Sequence, residues 1–189
     1  MIHLPEQYQR YRMLSIDPGN STTGVAMWEI DAYTGTIISV SAQTLHAVRL
    51  RDTSGLDPDL YPERTIKLYR MTSAMEMILS DVRPSIVACE ACFMHRAFPM
   101  AYGSLLTISN AYRDALIRHN PNVPFYTVEP LLVKKMIGAT SMKDKDAVTT
   151  AVSRVPEIMS ALRTDLSTLD EHAVDAIAIG YAHLKISSP

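Results

Sequence analysis

No run of apolar residues in this chain approaches the ~18 that a membrane-spanning helix needs, and the opening "MIHLPEQYQRYR" has no apolar core of the kind a secretory signal carries. Those absences lead us to expect a soluble, cytoplasmic protein without membrane contact, in which residues 1–12 form a short polar arm. With only two cysteines, Cys89 and Cys92, there is no disulfide framework, which agrees with a reducing compartment. Nor is there an excess of positive charge: 18 Lys and Arg stand against 20 Asp and Glu, for a formal charge of -2. Wholesale binding of nucleic acid depends on neutralising phosphates, so this balance disfavours it unless basic residues are gathered in one place. Internal repeats and low-complexity tracts are also missing.

What is there is a globular composition, 47% hydrophobic and 20% charged over 189 residues. That length suits one α/β domain over residues 1–189, burying roughly 70% of the surface its unfolded chain would expose. In "MLSIDPGNSTTGVAMWEI" an apolar strand through Met13, Leu14 and Ile16 is closed by Asp17. Pro18-Gly19-Asn20 then turns the chain, and Val25 to Trp28 resume the strand pattern. A third short strand, Thr36 to Val40, completes an antiparallel opening. The Asp-, Pro- and Gly-rich residues 51–62 read as a loop, and a helix follows from Glu63 to before Pro84. "SIVACE" is a further strand, Tyr102 to His119 a helix and "VPFYTVEP" a strand, with two more helices to the end. The order β-β-β-α-β-α-β-α-α implies a mixed central sheet, antiparallel strands first and parallel strands after, flanked by helices.

Two of these strands end on acids, Asp17 and Glu90, and neighbouring parallel strands would put both carboxylates at one sheet edge. In "LDEHAVDAIAIGYAHL" the residues Glu171, His172 and Asp175 fall within one turn of a helix and can face the same place. Gathered carboxylates repel unless a hard divalent cation sits among them. Two such ions about 3.5–4 Å apart can activate water and steady the leaving oxygen of a phosphodiester. Each acid also has a plainer explanation. Asp17 before Pro-Gly suits a turn, and Asp170 and Glu171 suit the first turn of a helix. Glu90 at the end of a buried strand and Asp175 amid "AVDAIAIG" fit such explanations less well.

Taken together, "IDPGNSTTGVA", "IVACEACFM", "VKKMIGATSMKDKDAV" and "EHAVDAIAIGYAH" resemble, in order and spacing, the RuvC-type Holliday junction resolvases of the RNase H-like superfamily. The resemblance implies an RNase H-like fold and a homodimer that binds a four-way DNA junction. It also implies Mg²⁺-dependent symmetric nicking, with two ions per active site and Mn²⁺ able to substitute. Asp17, Glu90 and Asp175 match the family's metal-binding acids, and His172 stands where many relatives carry a further Asp and some carry His. Lys134 and Lys145 match basic residues near the scissile phosphate, with Lys135 and Lys143 close enough to share one DNA-binding patch. Phe93 matches an aromatic that enters the junction centre, for which core packing is the rival explanation. The helix from Met100 to His119 resembles the dimer-facing helix. The mild acidity and the acidic loop "SGLDPDLYP" depart from the family's usual character and point to a phage-type or otherwise divergent relative in a bacterial cell.

Other readings meet obstacles. "CEAC" has the spacing of a thioredoxin-like pair, but Cys89 continues a strand instead of opening a helix. A zinc site there would have only His95 nearby. Asp17, Gly19 and Thr23 also fit the phosphate-binding hairpin of actin-like ATPases, which need two such domains and more chain. A junction-binding protein without cleavage would have no reason to hold three repelling acids together. An RNase H acting on hybrids would not call for the basic stretch from Lys134 to Lys145.

Overall fold

The computed structural model describes residues 10–51, 55–93, 99–139 and 146–187. Three antiparallel strands open the chain, β1 (Arg10–Asp17), β2 (Thr22–Asp31) and β3 (Ile37–His46). They are followed by α1 (Glu63–Val82), β4 (Ile86–Glu90), α2 (Pro99–His119) and β5 (Phe125–Val128). Four helices close the order: α3 (Pro130–Ile137), α4 (Ala147–Ser153), α5 (Pro156–Ala161) and, after a 3-10 turn at Leu166–Thr168, α6 (Glu171–Ser187). The five strands form one sheet in the order β3-β2-β1-β4-β5, with β4 parallel to both β1 and β5. The mixed sheet expected from the sequence is therefore present.

The continuous apolar character of β1 follows from burial on both faces. Leu14 and Ile16 enter a cluster with Met71, Met75 and Leu79 of α1 and Ile108, Tyr112 and Leu116 of α2. Met13 faces the other way, into a cluster with Ala26, Trp28 and the small apolar residues of α6. Ser15, on the same face as Met13, is buried and fully used. Its Oγ donates to the Ala176 carbonyl at 2.7 Å and accepts the Trp28 indole N–H at 2.8 Å, fastening α6 to the sheet.

The close approach of α6 depends on Gly180, where a Cβ would stand 2.5 Å from the buried Trp28 ring. Gly180→Ala is expected to cost about 1–3 kcal/mol through overpacking, read as a lowered urea midpoint at unchanged m. An unaltered midpoint would mean that α6 slides freely on the sheet.

Three expectations are corrected. Residues 10–12 are not part of a polar arm but the start of β1, because Arg10 and Arg12 pair in register with Asp31 and Glu29 and their charges stay outside the core. Residues 1–9 lie outside the described part. The third strand runs on from Val40 to His46, since Ala42 and Leu45 still reach buried sites between polar neighbours. The region after β5 holds four helices, three of them short, where two were expected. Val133, Val152 and Ile158 are anchored on α6's side of the sheet by segments too brief to show a period. Among the described residues no helix is long and apolar enough to cross a membrane.

Candidate active site

At the end of β1 the chain turns so tightly that a Cβ on Gly19 would lie 2.1 Å from the Thr22 carbonyl oxygen. Only glycine fits there. The turn is held by Thr23, whose Oγ1 accepts from the Gly19 N–H at 3.1 Å and donates to the Gly19 carbonyl at 2.8 Å. With that proton committed, the buried Tyr112 hydroxyl of α2, 2.8 Å away, donates to Thr23. Asp17 is thus placed by a turn tied to the helix behind the sheet.

The register Ile16↔Cys89 sets Asp17 and Glu90 side by side at the carboxyl ends of adjacent parallel strands. Alternation puts both on the face that α6 covers, along with Ser15 and Ala88. The first turn of α6 brings the third group. Asp170 caps that helix, accepting from the Ala173 N–H at 3.1 Å and from the Thr44 hydroxyl, while Glu171 is exposed. His172 and Asp175 face the sheet. Nδ1 of His172 lies 2.9 Å from Asp17 Oδ2, and its Nε2 lies 2.9 Å from the Thr22 hydroxyl.

The carboxyls act on one another strongly. Burial, then the charges of Asp17 and Asp175, push Glu90 up to about 8, with Lys134 pulling the other way. Asp175 is pushed up to about 6, by burial first and Asp17 second, against the pull of His172 and Lys134. Asp175 gives up its proton first, while Glu90 is still neutral, so Glu90 titrates against the charge that Asp175 already carries. The hydrogen bond to Asp17 raises His172.

A set of hard carboxylate oxygens that retain protons toward neutral pH is short of positive charge, and in kind it suits a hard divalent cation. Among the described residues no group of three or more His, Cys, Asp or Glu side chains is gathered closely enough to hold a metal ion. An open set also suits Mg²⁺, which keeps several of its waters and uses few protein ligands.

A model of the family described as crossover junction endodeoxyribonuclease RuvC matches residues 13–183. The chain belongs to that family. It is 27% identical over 175 residues to RuvC of Myxococcus xanthus, covering 92% of this chain and 80% of that protein. RuvC of Syntrophomonas wolfei is 23% identical over 174 residues, covering 92% and 88%. The structure of T. thermophilus RuvC in complex with a Holliday junction substrate superposes with a TM-score of 0.62 at 19% identity, covering 91% of this chain and 92% of that one. The fold is that of the RNase H-like resolvases.

Within this RuvC-family site the expected residues fall as follows. Asp17, Glu90, His172 and Asp175 converge. Lys134 of α3 is near enough to influence both Glu90 and Asp175, whereas Lys135 beside it is exposed. Phe93 is 51% exposed, so core packing does not account for it. Lys143, Lys145 and His95 lie outside the described residues. Cys89 sits on the α1/α2 side, its thiol pushed far up by burial, which suits packing and not redox cycling. Two residues were missed, Thr22 and Tyr112. Strand alternation could have placed Thr22 on the α6 face, but nothing in the sequence ties it to a histidine 150 positions away.

Proposed function

We propose that this chain is a Holliday junction resolvase, a metal-dependent endodeoxyribonuclease that acts as a homodimer and nicks a four-way junction symmetrically. The observation that carries the reading is the convergence of three acids from separate elements, Asp17, Glu90 and Asp175, of which Glu90 and Asp175 are held toward their neutral forms by burial and by the charge of Asp17. Asp17, Glu90 and Asp175 would hold Mg²⁺ or Mn²⁺, two ions per site, completed by His172 or Glu171. Bound there, the ions would supply an activated water and stabilise the charge developing on the phosphodiester.

The remaining residues bind and orient. His172 steadies the Asp17 carboxylate through Nδ1; serving as a ligand through that nitrogen would require the Asp17 bond to open. Lys134 offsets the acids' charge and would meet a DNA phosphate, and Lys135, with Lys143 and Lys145 further along the sequence, would add positive charge for the backbone. The exposed Phe93 ring is available to stack on an unpaired base at the junction centre, a contact worth about 1–3 kcal/mol. The homodimer would form through α2, where Leu106 and Ile117 are exposed. Two sites related by a two-fold would account for paired nicks. Such an enzyme belongs in the cytoplasm of a bacterial cell, whether encoded by the host or by a phage.

The test is to incubate the protein and Mg²⁺ with an end-labelled mobile four-way junction, a linear duplex and an RNA–DNA hybrid, and to map products at nucleotide resolution. Symmetric nicks confined to the junction are expected. A junction that is bound yet stays whole in both Mg²⁺ and Mn²⁺ would leave a binding protein in place of a resolvase, and cleavage of the hybrid would point to RNase H activity. For Lys134→Ala we expect slower cleavage and a salt dependence of binding shallower by up to about one phosphate contact. An unchanged slope would show that Lys134 serves the acids alone.

A further inference from the structure

We propose that Thr22 is a positioning residue for the nuclease reaction, its hydroxyl holding the His172 ring so that Nδ1 stays on Asp17. The proposal rests on the resolvase reading and adds to it a residue outside the acid constellation. Thr22 Oγ1 lies 2.9 Å from Nε2, and Asp17 Oδ2 lies 2.9 Å from Nδ1. A ring held at both nitrogens is fixed in rotation, because half a turn about χ2 would put carbon where each nitrogen was and lose both bonds.

A hydroxyl is suited to this position because it works in either direction. It donates to Nε2 when the single ring proton is on Nδ1, and it accepts from Nε2–H when that nitrogen carries a proton. The ring therefore keeps its place whatever proton arrangement the neighbouring acids impose. Hydrogen-bond partners outside the ligand set orient the groups around a metal in the same way, and losing one typically costs about 10- to 100-fold in affinity or activity.

The strand makes the placement rigid. Thr22 and Gly24 share one face of β2, and that face is the one α6 covers. A Cβ on Gly24 would stand 1.8 Å from the His172 carbonyl oxygen, so the backbone of β2 lies directly against residue 172 while the Thr22 side chain reaches its ring. Thr23, between them, faces the opposite way and is pinned to Gly19 and Tyr112. Both faces of this strand end are therefore anchored, and the hydroxyl has little room to wander. A threonine that merely satisfied its own hydroxyl at a strand end would need none of this arrangement.

Two substitutions separate the explanations. Thr22→Val keeps the shape and removes the hydroxyl, and Thr22→Ser keeps the hydroxyl and removes the methyl. Single-turnover junction cleavage in Mg²⁺ and junction affinity without Mg²⁺ would be measured beside the thermal midpoint. The His172 ring ¹⁵N resonances would be recorded on metal-free protein. We expect Thr22→Val to slow cleavage about 10- to 100-fold at unchanged junction affinity, and Thr22→Ser to recover most of the rate. The Nε2 resonance should move in Thr22→Val and stay at the parent position in Thr22→Ser. Added to His172→Ala, Thr22→Val should cost no further rate. A Thr22→Val protein as fast as the parent overturns the proposal, as does an unmoved Nε2 resonance or full additivity with His172→Ala. If the parent cuts no junction, the resolvase reading fails, and the ring resonances still decide whether Thr22 holds His172.

Discussion

Glu90→Gln is expected to abolish junction cleavage while leaving junction binding intact, and to make the metal-free protein more stable than the parent at pH 8 to 9. The first effect follows from removing an anionic oxygen from a site whose divalent ions are asked for several kcal/mol of transition-state stabilisation, a loss of about 10³-fold or more. The second follows from the burial of the carboxyl. Its ordinary value of 4.5 rises to about 8 in the folded protein. Between those values the folded state holds a proton that the unfolded chain has released, so stability falls as pH rises through that window. Glutamine has no charge to bury, so the variant's decline should be confined to lower pH, where Asp175 moves from 3.8 to about 6. Urea unfolding at pH 5, 7 and 9 with divalent ions chelated is the measurement. Parallel curves for parent and variant would mean the Glu90 carboxyl is not buried charge, and retained nicking in Mg²⁺ would remove it from the metal site.

The same burial explains why the acids were legible in the sequence. A strand such as "SIVACE" can end on a carboxylate only where something offsets the desolvation, and two strands doing so in one chain narrow the choice to a shared site. Helical spacing then placed His172 and Asp175 together. What spacing could not supply was the pairing of His172 with Asp17 and Thr22, which depends on the crossing of α6 over β2. That crossing is set by Gly24 and Gly180, two glycines whose contacts are with residues far away in sequence. The strand order likewise rests on a pairing that no local pattern carries, the register Ile16↔Cys89. Elements were misjudged where polar and apolar residues alternate at an edge, as in residues 41–46 of β3, and where short helices such as α4 and α5 show less than two turns of period.

His172 leads to the second large effect: His172→Ala should lose most cleavage activity, about 10- to 100-fold, while His172→Asp should remain active. The alanine change deprives Asp17 of its hydrogen-bond partner and removes the positive charge that helps hold Asp175 ionised, so two of the three acids are affected at once. The aspartate change replaces a donor by another carboxylate. In the metal-free protein that carboxylate would repel Asp17, and its thermal midpoint should fall below the parent's. Added Mg²⁺ relieves the repulsion, and the midpoint should recover by more than the parent gains under the same addition, since the larger negative charge binds the cation more tightly. Cleavage rates and midpoints with and without Mg²⁺ test both halves. An alanine variant as fast as the parent would make His172 a bystander. A His172→Asp protein whose midpoint ignores Mg²⁺ would mean that position 172 faces the acids without joining them at the ion.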